Sequence, residues 1–260
     1  MNINLHGKRA IVCGASKGIG RAAAQELASL GAEVTLVARN QAALEAAKAT
    51  LSRPERHHVL AADFQNPQQL RDKIEIHIAL HGPIHILVNN TGGPAPGPVS
   101  TATLGQLQSA FTQQLLCNHV LALAVLAGMK SEKYGRIINV ISTSVKSPIP
   151  GLGVSNTIRA AVANWAKTLS AEVAPFGITV NNILPGATDT DRLAEILADK
   201  AAKSGQPLAD VIAHEAASIP AGRFAQPAEL ADAIAFLASP AAAYINGINL
   251  PVDGGRTGCL

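Results

Sequence analysis

Short runs of apolar and β-branched residues recur along the chain, and longer segments with helical periodicity separate them. Nearly continuous apolar runs of this length are typical of strands that are buried on both faces of a sheet. The predicted strands are 10–13, 34–38, 58–61, 85–89, 137–141, 179–183 and 249–252. Because most of the intervening segments are long enough for crossover helices, we expect an α/β fold with a doubly wound parallel sheet of seven strands and helices on both faces.

The alternation of strands and helices continues from end to end, with no internal repeat and no linker. We therefore expect residues 1–260 to form a single domain. Residues 187–222 are longer and more polar than a crossover connection needs. In a sheet of this kind an insertion at that point covers the substrate, so we expect a substrate flap there.

Composition narrows the class of protein. Hydrophobic residues make up 48% and aromatic residues 3%, and the net charge of +3 comes from scattered cations. This pattern indicates a packed domain without a nucleic-acid-binding stripe. Cys13, Cys117 and Cys259 are too few for a disulfide framework or a metal cluster. Residues 1–10 do not resemble a signal peptide, and the apolar run 121–129 is too short to span a bilayer. We expect a soluble cytoplasmic protein.

A glycine-rich loop, GASKGIG, occupies residues 14–20 directly after the first predicted strand. Glycine lets the backbone turn sharply and approach a ligand closely. An alanine-rich helix is predicted to follow, and the free N–H groups at a helix start bind phosphate. In a βαβ unit, this loop indicates a Rossmann-like, dinucleotide-binding domain. The structural alternative is a tight turn that holds no ligand.

The end of the second predicted strand bears on the choice of dinucleotide. An acidic residue there would bind the ribose 2′-hydroxyl and select NAD, but the sequence reads Val37-Ala38-Arg39. Arg39 and Lys17 are suited to a 2′-phosphate, since a guanidinium pairs with phosphate through two hydrogen bonds. We expect NADP(H) rather than NAD(H); the alternative is that both are ordinary exposed cations.

Further motifs follow the other strands in order. They are Asp63 after the third strand, NNTGG at 89–93, Pro185-Gly186 after the sixth strand and VDGG at 252–255. Together with the glycine loop, they make the chain resemble the short-chain dehydrogenase/reductase family over almost its whole length, and within it the 3-oxoacyl-ACP reductase-like members. Thr91 stands where the family motif has alanine.

The resemblance implies a cofactor site at the carboxyl ends of the strands. In the family, the residue at the Asp63 position contacts the adenine ring, and the residues after the Pro-Gly pair hold the nicotinamide amide. The implied cofactor-binding residues are Gly14, Ser16, Lys17, Gly18, Ile19, Gly20, Arg39, Asp63, Phe64, Asn89, Arg159, Pro185, Gly186, Thr188 and Thr190.

The resemblance also implies a catalytic set of Asn, Ser, Tyr and Lys, in which a Y-x-x-x-K helix start supplies the last two. In this sequence Ser142 matches the Ser, and the Asn position falls on or near Gln114, with Asn118 one helical turn later. Ser155 stands at the Tyr position and Arg159 at the Lys position. This pair is the main departure from the family.

No other register restores the missing pair. Tyr134 and Tyr244 are the only tyrosines, and each is followed four residues later by isoleucine. A serine hydroxyl is a far weaker acid than a phenol, and an arginine stays protonated and cannot act as a base. Arg159 can still hydrogen-bond the ribose, while Ser155 either contacts substrate or caps its helix.

Three other side chains are candidates for proton transfer. Lys146 and Ser144 lie in the loop after Ser142, and His119 is of a residue type that commonly transfers protons. For each of these three, the alternative to proton transfer is an exposed side chain or one with a structural role only. The catalytic candidates are therefore Ser142, Ser155, Arg159, Gln114 and Lys146. We expect no metal ion in the site.

The function that these residues predict is an NADP(H)-dependent oxidoreductase acting on the carbonyl or alcohol of a small molecule. Two other functions stay open because the acid/base set is altered: a non-redox lyase or isomerase that retains the nucleotide, and a catalytically inactive NADP(H)-binding sensor or scaffold. The resemblance also implies a homo-oligomer, a tetramer or dimer. We expect no membrane partner.

Overall fold

All seven predicted strands are present, with shifts of one to two residues at their ends. The computed structural model describes residues 1–259. The strands are β1 (Arg9–Cys13), β2 (Glu33–Ala38), β3 (His58–Ala61), β4 (Ile86–Asn89), β5 (Gly135–Val140), β6 (Ile178–Pro185) and β7 (Asn249–Val252). The residues of β1, β2, β4, β5 and β6 are almost all buried, as their apolar sequences predict, whereas those of the edge strands β3 and β7 are half-buried.

The strands form one parallel sheet in the order β3-β2-β1-β4-β5-β6-β7. The order reverses between β1 and β4, and ligands of such sheets bind outside the carboxyl ends of the strands at that point. The doubly wound, Rossmann-like fold predicted from the sequence is confirmed.

Helices cover both faces of the sheet. They are α1 (Gly18–Ser29), α2 (Gln41–Lys48), α3 (Pro67–His81), α4 (Leu104–Phe111), α5 (Cys117–Ser131), α6 (Gly153–Val173), α7 (Asp191–Ser204), α8 (Leu208–Ala217) and α9 (Pro227–Ala238). One face packs mainly against α1, α2 and α9, and the other against α3, α5 and α6.

A π-helical segment, Thr112–Leu116, joins α4 to α5 without a break. The resulting helical stretch 104–131 is longer than the apolar run 121–129 and, by length and composition alone, is long and apolar enough to cross a membrane. Leu121, Val125 and Met129 are buried against the sheet. We therefore interpret the stretch as a core helix.

The expected flap region, 187–222, contains the two helices α7 and α8. They pack on each other through Leu197, Ala201 and Val211. Glu215 of α8 receives hydrogen bonds from Lys200 of α7 and from Arg256 near the end of the chain. The insertion therefore forms a small helical pair with its own apolar contacts.

Candidate active site

The glycine loop lies where β1 ends, and two of its glycines are required by close packing. A Cβ on Gly14 would lie 2.5 Å from the main-chain oxygen of Asn90, and one on Gly20 would meet Gly14 and the Asn90 amide. Gly14 and Gly18 also have φ angles of 60° and 56°, in the left-handed region. The loop can therefore pack its main chain directly on Asn90. Asn90, which packs beneath it, was not singled out from the sequence.

The start of α1 is free to bind an anion. Lys17 is the N-cap residue and makes no side-chain cap hydrogen bond, so the first N–H groups of the helix are available to a phosphate. Arg39 is exposed at the end of β2. The ammonium of Lys17 is 3.0 Å from the Asp191 carboxylate at the start of α7, and both side chains are largely exposed. Such a pair is weak in water, so Lys17 can exchange Asp191 for a phosphate.

Asp63, Phe64 and Asn89, three of the predicted cofactor-binding residues, differ in how accessible their side chains are to a ligand. Asp63 is exposed, with one carboxylate oxygen accepting the Gln65 N–H. Phe64 is buried in the core beneath α5, and its carbonyl accepts from the Cys117 thiol. The side chain of Asn89 is 2% exposed and is hydrogen-bonded within the sheet. The side chains of Phe64 and Asn89 are therefore turned into the protein, so a contact of either residue with a cofactor would involve its main chain.

The segment after β6 turns sharply at Pro185-Gly186. A Cβ on Gly186 would meet Asp253 of the VDGG segment, so glycine is required there. The Thr188 hydroxyl donates to the Gly186 carbonyl, and the Thr190 hydroxyl donates to the Thr188 carbonyl. Thr190 also caps α7. These bonds fix one conformation of the segment, whose main chain follows the carboxyl end of the sheet.

Ser142 follows the end of β5 and presents an oriented hydroxyl. Its oxygen accepts the Ser144 N–H at 3.1 Å as the cap of the short turn Thr143–Val145. A hydroxyl that accepts in this way still has its own O–H to donate, and the accepted bond polarises it. The geometry suits a donor to a substrate oxygen.

Gln114 lies in the π-helical segment, and such segments are frequent at functional sites. Its side chain is 1% exposed, and its Nε2 donates to the Gly92 carbonyl at 3.4 Å. Its Oε1 has no hydrogen-bond partner among the described residues. Asn118, one turn further along the helix, is also buried. A buried oxygen without a partner carries a desolvation cost, so this position has capacity for a further donor.

Arg159 is buried beneath the candidate site. Its guanidinium donates to the carbonyls of Val140 at 2.7 Å and Thr91 at 3.4 Å, and its Nε has no partner among the described residues. Burial lowers the pKa of Arg159 to about 10, below the value expected from the sequence but still high enough to keep it charged at neutral pH. Two of its N–H groups are therefore engaged with the ends of β5 and β4 rather than free for a ribose.

Ser155 is the third residue of α6, whose cap is Leu152. The helix begins two residues before Ser155, so the capping alternative is wrong. The neighbouring Asn156 donates to the Ile149 carbonyl and accepts the Ile149 N–H. These two hydrogen bonds to Ile149 hold the loop before α6 in one conformation. Asn156 was not among the predicted site residues, although an amide in the first turn of a helix after a Pro/Gly loop is a recognisable signal.

Neither tyrosine reaches this site. The Tyr134 hydroxyl donates to the Ala238 carbonyl at 2.6 Å, and its ring lies between the cations of Lys8 and Arg136, each 4.2 Å from the ring centroid. Tyr244 is fully exposed. Both positions agree with the sequence argument that no tyrosine replaces the one missing at position 155.

The three candidates for proton transfer, His119, Ser144 and Lys146, lie in different environments. His119 is exposed on α5, and its Nδ1 accepts the Trp165 indole N–H at 3.3 Å, which agrees with the alternative of an exposed side chain. Ser144 is 3% exposed, and its hydroxyl has no partner among the described residues. Lys146 ends the turn that begins at Ser142. Ser144 and Lys146 remain near the candidate site.

The arrangement combines a main-chain phosphate cradle, an oriented serine donor and a buried cation at the carboxyl ends of one parallel sheet. A family model described as enoyl-(acyl carrier protein) reductase matches residues 14–257. A 3-oxoacyl-[acyl-carrier-protein] reductase of Vibrio cholerae is 36% identical over 255 residues, which are 97% of this chain and 98% of the relative.

The chain belongs to the short-chain dehydrogenase/reductase family. The NADPH-dependent reductase BacG of Bacillus subtilis is 31% identical, covering 95% of this chain and 97% of the relative. The crystal structure of L-sorbose reductase from Gluconobacter frateurii, complexed with NADPH and L-sorbose, superimposes with a TM-score of 0.93 over the full length of both chains at 31% identity. These relatives are oxidoreductases, and the protein is an oxidoreductase of this family.

Proposed function

We propose that the protein is an NADP(H)-dependent oxidoreductase that acts on a small-molecule carbonyl or alcohol without the phenol acid of its family. The observation that carries the proposal is the oriented Ser142 hydroxyl, which lies at the same edge of the sheet as an open phosphate cradle. When bound, the cofactor supplies or accepts a hydride. The chain's own residues bind and orient the reactants.

The cofactor residues fit a phosphorylated dinucleotide. The glycine loop between Gly14 and Gly20 and the uncapped start of α1 suit the pyrophosphate. Exposed Arg39 and the exchangeable Lys17 suit a 2′-phosphate. Known relatives and structural neighbours are named as NADPH-dependent enzymes or bind NADPH, which supports NADP(H) over NAD(H).

Hydrogen bonds support the roles proposed for Ser142 and Arg159. Ser142 donates to the substrate oxygen, and Ser155 lies beside the substrate at the start of α6. Arg159 keeps a positive charge beneath the site and holds the strand-end carbonyls of Val140 and Thr91. No group here replaces a phenol, so Ser144, Lys146 or water delivers the proton.

The names of the relatives guide the choice of substrates to test. We would incubate the protein with NADPH and, separately, NADH, against a panel of 3-oxoacyl thioesters, 2-enoyl thioesters and ketoses. We expect NADPH oxidation with one class, and Ser142→Ala to lower kcat about 100-fold, as does loss of one oxyanion donor in other enzymes. Absence of turnover above background across the panel would overturn the proposal.

The alternatives have separate outcomes in the same assays. Product formation without a change in nicotinamide absorbance would indicate a lyase or isomerase, and NADPH binding without chemistry would indicate a sensor or scaffold. Tight binding of NADPH with much weaker binding of NADH, lost in Arg39→Ala, supports the cofactor assignment in every case.

Assembly into a homo-oligomer is part of the proposal. Phe111, Leu116 and Leu123 are exposed apolar side chains on one continuous helical stretch. Exposed apolar groups in a cluster favour association. We propose that this stretch contributes to a dimer or tetramer interface.

A further inference from the structure

Four asparagine side chains form a hydrogen-bonded ladder across the carboxyl half of the sheet. Asn89 donates to Asn139, Asn139 to Asn182, and Asn182 to Asn249, each through Nδ2 to Oδ1 at 2.8 Å. The four residues are direct register partners on β4, β5, β6 and β7. Amide ladders of this kind form where parallel strands are in register.

The ladder is buried between apolar residues of β4, β5 and β6. Asn139 has no exposed surface, and Asn89 and Asn182 are each 2% exposed. Leu87, Ile137 and Val180, two residues earlier on the same strands, pack in the core beneath α5 and α6. Ile141 and Leu184, two residues later than Asn139 and Asn182, belong to the next apolar cluster. The ladder thus lies between two apolar layers.

Buried amides define register more strictly than apolar residues do. A strand slip of two residues keeps every apolar side chain on the same face, so a hydrophobic pattern of period two does not exclude it. The same slip would separate Asn139 from both of its partners and leave buried amide groups unpaired, at a large cost. The ladder therefore fixes the relative heights of β4, β5, β6 and β7.

These are the strands whose ends carry the candidate chemistry. Thr91 lies two residues after Asn89, Ser142 three residues after Asn139, and Pro185 three residues after Asn182. The glycine loop and Arg39, by contrast, follow β1 and β2, which the ladder does not reach. The phosphate cradle and the reaction side of the site are thus held by different parts of the sheet.

We propose that the asparagine ladder positions the strand ends that bear Ser142, Thr91 and Pro185, and so aligns the reaction side of the site. Its members are positioning residues, because their side chains are bonded to one another inside the sheet. Only the catalytic readout rests on the function proposed above.

Asn139 is the residue to change, since it donates to one neighbour and accepts from the other. Asn139→Leu has a similar volume but no polar atom, which leaves the Asn89 Nδ2 and the Asn182 Oδ1 unpaired. Asn139→Asp retains the acceptor for Asn89, but its second oxygen faces the Asn182 Oδ1. Protonation of that carboxyl restores a donor at this point. The control is Asn249→Asp, which keeps the acceptor for Asn182 at the end of the ladder.

Hydrogen–deuterium exchange tests how firmly the strand ends are held, and it requires no enzymatic turnover. At pH 8 we expect Asn139→Leu and Asn139→Asp to raise exchange at least tenfold in peptides spanning 90–93 and 141–146, with little change in β1 and β2. At pH 5.5, compared with the wild type at the same pH, Asn139→Asp should recover most of its protection and Asn139→Leu should not. Asn249→Asp should match the wild type.

Turnover and ligand affinity test the consequence for the site. We expect kcat to fall roughly tenfold or more in Asn139→Leu, because small misplacements of reacting groups are costly. The Kd for 2′,5′-ADP, which probes the cradle side alone, should stay within threefold. Wild-type exchange in Asn139→Leu would overturn the ladder as a register device, and a uniform rise across all strands would overturn its local role. If the wild type turns over nothing in the panel, the proposed function fails while the exchange result still decides the ladder.

Discussion

Gly14→Ala tests the phosphate cradle against a control that the chain itself provides. Gly14 and Gly7 both have left-handed backbone angles, with φ of 60° and 76°. A side chain in that region costs about 1–2 kcal/mol of stability. A Cβ at Gly7 has no heavy atom within 4 Å, whereas a Cβ at Gly14 would lie 2.5 Å from the Asn90 carbonyl oxygen. The two substitutions share the backbone strain and differ in the close contact.

The close contact in the structure gives the expected difference in stability between the two variants. Ordinary contacts between such atoms are at least ~3.5 Å, so the loop or Asn90 must move by about 1 Å, and overpacking of this kind costs roughly 1–3 kcal/mol more. We expect Gly7→Ala to lower the free energy of unfolding in urea by about 1–2 kcal/mol and Gly14→Ala by roughly 2–5 kcal/mol.

Cofactor binding separates the two variants further. Movement of the loop displaces the N–H groups that face a pyrophosphate, so Gly14→Ala should weaken NADPH binding more than tenfold in a fluorescence titration, while Gly7→Ala leaves the Kd unchanged. Equal Kd values for both variants would refute the reasoning, because they would mean that the close approach to Asn90 does not shape the ligand site.

Three further predictions concern the reaction, the assembly and the response to acid. The double substitution Ser155→Tyr/Arg159→Lys should raise carbonyl turnover about tenfold in steady-state assays; no gain over the wild type would mean that this helix is not directed at the substrate. Leu123→Glu should reduce the mass measured by light scattering, and an unchanged mass would place any interface elsewhere. Burial and the nearby His81 and His58 lower the pKa of His77 to about 4 from its ordinary 6.5. The folded state therefore binds the proton more weakly, so the free energy of unfolding should be constant above pH 6.5 and fall as the pH drops towards 4. A urea series on His77→Asn should show a shallower fall, and an identical one would contradict the assignment.

The fold was predictable because it depends on patterns that local sequence carries. Continuous apolar runs identified every strand, and the glycine loop also predicted that the first strand ends at Cys13. Relations between distant side chains were not predictable in the same way. The pairing of Lys17 with Asp191 and the burial of Arg159 under two carbonyls depend on how separate elements pack.

Parts of the site were misread for identifiable reasons. His119 was considered because histidine is a common proton-transfer residue, but its side chain is exposed and bonded to Trp165. Ser155 was open to a capping role because the start of α6 was not defined to within two residues. The asparagine ladder did leave a signal, since each of the four strands carries an asparagine among mostly apolar residues, and β6 carries two, Asn181 and Asn182. Only the sheet order reveals that the four lie side by side.

The three cysteines differ in exposure, and the exposed one can carry a probe. Burial raises the pKa of the Cys13 thiol and raises that of Cys117 to about 12, so both resist thiol reagents at neutral pH. Cys259 is exposed, with its Sγ 3.8 Å from the carbonyl oxygen of Lys146 in the loop after Ser142. A single dye attached there, without any engineered cysteine, would report directly on the movement of that loop when a ligand arrives.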